Sequence, residues 1–157
     1  FVGTANRDES TFEISDKVYD RAQVVSLNRK AIPESNYRSE SEKYISVEKL
    51  EELFKKAILN NKYKTAVQER LEDLDKILMD KFDTSFGNRI LTQTIDFVGV
   101  YTAAGGTLED ALDYQISTKI LRKVITSDNA DALLVLSEAT AGYSETHRLL
   151  DKRIREL

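Results

Sequence analysis

The sequence predicts a mostly α-helical protein, a helical bundle preceded by a small α/β piece. Three observations carry this reading. One proline and six glycines stand in a chain of 157 residues that is 32% charged, a composition that suits helices. From Ser46 onward, apolar residues recur at three- and four-residue spacing, the period of a helix that buries one face. Ahead of that region, Ala22-Gln23-Val24-Val25-Ser26-Leu27 is rich in β-branched residues and reads as a strand.

In chain order, Phe1 to Ala5 reads as a short buried strand and Asp8 to Thr11 as a polar turn. Ile14 to Tyr19 forms a helical turn with Ser15 as its cap, and the strand over 22–27 follows. Two strands are marginal in water, so this portion, residues 1–28, needs a larger sheet or a neighbouring copy to pack on. Because the chain opens on Phe1 inside a strand, it reads as a piece of a longer protein. Residues 29–45 hold the only proline, Pro33, and a polar run, which reads as a linker.

Residues 46–157 are helical in pattern. Ser46 caps a helix with the stripe Val47, Leu50, Phe54, Ala57 and Ile58, and Asn60-Asn61 breaks it. The next helix carries Tyr63, Val67, Leu71, Leu74, Leu78 and Phe82, and Asp83 to Gly87 turns the chain. Asn88 to Ala104 is apolar on most sides and is expected to be the central, buried helix, ended by Gly105-Gly106. Thr107 caps a helix with Leu108, Leu112, Ile116, Ile120, Leu121 and Val124 on one face. Ser127-Asp128-Asn129 starts a shorter one bearing Leu133, Leu134 and Leu136. Gly142 stops it, and Ser144 caps a last helix with Leu149, Leu150, Ile154 and Leu157.

Composition removes several function classes. With 23 basic and 27 acidic residues the net charge is −4, which argues against a broad nucleic-acid-binding face. Zero cysteines exclude disulfides and thiolate metal sites. No apolar run approaches the roughly 20 residues that a bilayer span needs. His147 is the only histidine, so neither a transition-metal site nor a Ser-His-Asp arrangement is expected, and it is placed as an exposed residue on the last helix. Asp8-Glu9 is read as a solvated pair on a turn rather than a metal site.

Three residues can be weighed one by one by their own chemistry. Asn6 follows an apolar strand, where an amide can hold a water through one donor and one acceptor. The bland alternative is a turn asparagine. Arg21 ends the helical turn, and its planar fork matches phosphate oxygens; the alternative is a surface arginine paired with Asp16 or Asp20. Arg89 lies in Ser85-Phe86-Gly87-Asn88-Arg89, at the opening turn of the apolar helix. A cation there opposes the helix dipole, which makes sense if an anion also sits there, held by free N–H groups beside Gly87. Its alternative is an ion pair with Asp83 or Asp96.

The stretch Gly3-Thr4-Ala5-Asn6-Arg7-Asp8-Glu9-Ser10, followed by Ser15-Asp16-Lys17-Val18-Tyr19-Asp20-Arg21-Ala22, resembles the second half of an AAA+ nucleotide-hydrolysing core. The branch it is most similar to is McrB-like, the motor subunits of modification-dependent restriction systems. Gly105 to Leu121 also resembles the helical lid of that branch, although Arg122 stands where those lids often have proline. The resemblance implies that Asn6 is a sensor 1 residue, that Arg21 is an arginine finger reaching a neighbouring subunit, and that Arg89, after Gly87, is a sensor 2 residue at the nucleotide. Lys17 and Arg7 are weaker candidates for the subunit boundary. Lys119 is expected on a solvated helix face.

Residues 1–28 are then the trailing part of the α/β core and 46–157 the lid. The resemblance further implies ATP or GTP with Mg²⁺ as cofactor in the full-length protein, a homo-oligomeric ring (a hexamer), a McrC-like nuclease partner, DNA acted on only indirectly, no membrane, and a cytoplasmic location. The P-loop, Gly-x-x-x-x-Gly-Lys-[Ser/Thr], does not occur in these residues, so they are expected not to hydrolyse nucleotide alone. Two other readings fit: a MoxR-like remodelling ATPase, and a non-enzymatic helical interaction module.

Overall fold

In the computed structural model, residues 3, 16–19, 21–25 and 44–157 are described. Among them the secondary structure is helical: α1 (Asp16–Tyr19), α2 (Val47–Leu59), α3 (Lys64–Phe82), α4 (Asn88–Ala103), α5 (Leu108–Gln115), α6 (Ala130–Ala139) and α7 (Ser144–Arg155). A π-helical turn (Ile116–Ile120) and a 3-10 turn (Leu121–Lys123) extend α5. Gln23, Val24 and Val25, read as part of a strand, run as irregular chain. Among the described residues they have no partner strand, and side chains of the bundle hold them instead.

Among the described residues the caps form where the sequence places them, with one exception; Ser15 lies outside those residues. Ser46, Thr107 and Asn129 each accept a hydrogen bond from a backbone N–H in the first turn of α2, α5 and α6. α7 is capped from a distance. The buried Asp113 carboxylate on α5 accepts from the Glu145 and Thr146 amides at 2.7 and 2.8 Å, and Ser144, expected to be the cap, donates its own hydroxyl to Asp113 at 3.2 Å. The Thr146 hydroxyl adds a bond of 2.8 Å. An aspartate is the better acceptor here because it brings charge to the positive end of the helix dipole.

The core lies where α3 to α7 meet. α3 buries Val67, Leu71, Leu74 and Leu78, α6 buries Leu133 and Leu136, and α7 buries Leu150. Fully burying such a side chain contributes about 1.5–3 kcal/mol, so these contacts hold the bundle together. α4 packs against α2, α3 and α5. It is central in that sense, but it is less enclosed than its composition suggests: Ile90, Thr94, Val98 and Gly99 are buried while Tyr101 is exposed.

Two departures concern α2 and α5. No residue of α2 is buried, and Val47, Leu50, Leu53 and Phe54 face outward. α2 is held instead by a close crossing at Gly99, where an added Cβ would stand 3.1 Å from the Ala57 carbonyl oxygen. Asn61 fastens the same corner by donating to the Ile95 carbonyl at 2.7 Å. The helix after Thr107 does continue through Arg122, but not as an α-helix. The π turn re-aims its side chains so that Ile116, Ile120 and Leu121 all reach the core. It also buries Lys119, at 5% exposure, with its ammonium 2.6 Å from Gln93 Oε1. Lys119 is therefore not on a solvated face. Among the described residues no helix is long and apolar enough to cross a membrane.

Candidate functional site

The approach to α4 is built by α3. Asp83 takes a left-handed conformation (φ 49°) that ends α3, and its N–H donates to the Leu78 carbonyl. The Asp75 carboxylate then accepts from the Ser85 hydroxyl at 2.9 Å and from the Phe86 amide at 3.1 Å. Phe86 anchors the loop in the core. Together these contacts fix where Gly87-Asn88-Arg89 emerge.

Gly87 is the N-cap of α4, with φ −79° and ψ 166° and no side-chain cap. Its carbonyl accepts from the Ile90 amide at 2.9 Å, so the amides of Asn88 and Arg89 precede the first intrahelical bond. A Cβ built on Gly87 would meet nothing within 4 Å, and Gly87, Asn88 and Arg89 are all exposed. Arg89 is exposed. Among the described residues it forms no ion pair, and neither Asp83 nor Asp96 serves as its partner. The arrangement offers free N–H groups and a guanidinium on one open helix end, a chemistry suited to an anion with several oxygens.

Arg21 is also exposed and follows α1, whose turn is closed by the Arg21 and Ala22 amides donating to the Val18 carbonyl at 3.1 and 2.9 Å. The segment around it is tied to the bundle. The Arg122 guanidinium lies over the Tyr19 ring, 3.3 Å from its centroid, Gln115 donates to Gln23 Oε1 at 3.0 Å, and the Tyr114 hydroxyl donates to the Val24 carbonyl. Burial raises the Tyr114 phenol above its ordinary pKa. Lys17 is exposed; Asn6, Arg7, Asp8 and Glu9 lie outside the described residues.

Sequence reasoning missed other polar groupings. Ser137, His147 and Asp151 do come together: Ser137 Oγ lies 2.8 Å from His147 Nδ1 and 3.2 Å from Asp151 Oδ1, and His147 Nε2 lies 3.5 Å from Asp151 Oδ2. His147 is accordingly half-buried rather than exposed. Ser137 is buried mid-helix on α6, out of a substrate's reach, so the trio ties α6 to α7 rather than forming a nucleophile. Spacing gives no sign of it, because the pairing crosses helices; only His147 and Asp151, four residues apart on α7, were visible as neighbours. A shallow cleft lined by Asp80, Lys81, Asp83, Lys123 and Asn129, and another beside Leu149, Lys152 and Arg153, include none of Arg21, Gly87 or Arg89. Among the described residues no group of three or more His, Cys, Asp or Glu side chains is placed to hold a metal ion.

No curated protein and no solved structure matches the chain. A family model matches residues 31–157, that is, α2 through α7 with the segment ahead of them. The chain belongs to the family of the domain of unknown function DUF8727.

Proposed function

We propose that the chain is the trailing part of an AAA+ nucleoside-triphosphatase of McrB-like type: the end of its α/β core, residues 1–28, and its helical lid. The observation that carries this reading is the start of α4. Arg89 stands exposed, with no ion pair among the described residues, on a helix end left open at Gly87, which is where a sensor 2 arginine would meet the phosphates of ATP or GTP. The outward apolar side of α2 adds support, since a lid needs a surface on which to meet its core. In this reading Arg21 reaches the triphosphate of the next subunit in a homo-oligomeric ring, and Asn6 positions the attacking water. Mg²⁺ and the triphosphate are gripped by a phosphate-binding loop on the preceding part of the core. Hydrolysis rocks the lid against the core and drives translocation on DNA for a partner nuclease.

The test is nucleotide hydrolysis by the assembled protein with Arg21→Ala or Arg89→Ala. A lost finger arginine is expected to lower kcat by about 10³-fold or more. Arg89→Ala is expected to weaken both nucleotide binding and turnover. Wild-type hydrolysis in both variants would refute the motor reading and leave the outward face of α2 as the mark of a helical interaction module.

A further inference from the structure

Three contacts bracket Arg21 on the chain. Tyr19, two residues before it, lies under the Arg122 guanidinium; Gln23 and Val24, just after it, accept from Gln115 and Tyr114. Between them, the Arg21 and Ala22 amides close the α1 turn on the Val18 carbonyl. A four-residue helical turn does not hold by itself in water, so its persistence depends on these anchors. The backbone at Arg21 is thus fixed from both sides while its side chain stays exposed.

The anchors share one origin. Tyr114 and Gln115 end α5, and Arg122 lies just beyond the π turn, whose Thr118 hydroxyl donates to the Tyr114 carbonyl at 2.6 Å. The same stretch is tied to α4. Phe97 stacks on Tyr114 with centroids 5.4 Å apart, and Lys119 donates to Gln93 at 2.6 Å. α4, which carries Arg89 in its first turn, and the segment that carries Arg21 are therefore both tied to this one stretch, and both through Tyr114. Gln115 is itself informative. It is fully buried, and its Oε1 has no hydrogen-bond partner, so the bundle would pack an apolar side chain at that position at no loss. Its satisfied contact is the one to Gln23.

We propose that Tyr114, Gln115 and Arg122 are positioning residues that hold the Arg21 segment to the bundle, so that a displacement of α4 in one subunit moves the arginine offered to the next. The inference rests on the reading of Arg21 as an arginine finger. It also accounts for Arg122, whose guanidinium is the half of the Tyr19 contact that a proline could not supply.

The experiment has two readouts. The first is hydrogen exchange at the Arg21 and Ala22 amides in this chain, for Arg122→Ala, Arg122→Lys, Gln115→Met and, on the segment itself, Gln23→Ala. Exchange is expected to rise at least about fivefold in Arg122→Ala, Gln115→Met and Gln23→Ala, with α3 to α7 unchanged, and to stay near wild type in Arg122→Lys, which keeps a cation over the ring. The second is nucleotide hydrolysis by the assembled ring. The same three variants should lose kcat with KM unchanged, and Arg122→Lys should restore it. Unchanged exchange in all three overturns the anchoring. Faster exchange with wild-type kcat overturns the positioning role while leaving the anchoring in place. Wild-type kcat in Arg21→Ala refutes the finger reading and the positioning role together, and it is told apart because the exchange result stands on its own. Should Arg122→Ala fail to fold, Gln115→Met and Gln23→Ala decide the matter.

Discussion

Asp113 shows how much one side chain can settle. Its carboxylate takes the first amides of α7 and the hydroxyls of Ser144 and Thr146, all on a helix thirty or so residues away in sequence. Asp113→Ala would strand those donors at a buried helix start, and we expect a loss of about 2–3 kcal/mol, read as a lower urea midpoint at unchanged slope. Tyr114 yields a prediction in pH. Burial raises its phenol pKa, so the folded form holds the proton more tightly than the unfolded chain does. The stability it contributes is complete below the ordinary tyrosine value and is lost as the pH rises past about 10 and through the raised pKa. The same ionisation removes the hydrogen that reaches Val24, so exchange at Arg21 and Ala22 should quicken over that range, and Tyr114→Phe should abolish the added pH dependence. Neither role was legible in the sequence. Asp113 reads as one more acid on a helix, and Tyr114 as one more aromatic, until the segment each one holds is in place.

The helices themselves were legible, because spacing and caps are local. The stripe from Val67 to Leu78 is buried as its period requires, and Ser46, Thr107 and Asn129 cap as their side chains allow. What spacing could not convey is which stripe finds a partner. α2 is amphipathic and yet leaves Val47 67% exposed, since only its C-terminal end crosses α4. The π turn was likewise hidden. Its residues fit an α-helical stripe, and the wider turn is seen only in the packed chain, where Lys119 reaches Gln93 of α4 and the turn meets α7. Gly99 is the element-scale test. Gly99→Ala would press a methyl against the Ala57 carbonyl and Asn61, each 3.1 Å from the new Cβ. We expect a cost of about 1–3 kcal/mol, with faster exchange confined to α2 and wild-type protection in α6 and α7.

For the whole molecule, the bundle behaves as one packed unit, with Arg21 and Arg89 exposed at its surface and a polar tie between the parts that carry them. Arg89 stands in the first turn of α4, just after an anchored loop, and Arg21 stands on a segment that the far end of α5 grips. Arg89 stood out in the sequence because a cation in the first turn of an apolar helix is at odds with the dipole. Arg21 stood out only through its motif, since its exposure marks nothing by itself. The grip that links them depends on contacts across some ninety residues, as between Gln23 and Gln115, which no local pattern encodes. The central claim is that both guanidinium groups meet nucleotide, one from each of two neighbouring subunits. The most direct measurement is a structure of the assembled ring with a non-hydrolysable triphosphate bound. The account predicts Arg89 and the neighbouring subunit's copy of the finger arginine within about 3 Å of phosphate oxygens. Both side chains lying clear of the nucleotide, each paired with a surface carboxylate, would contradict it.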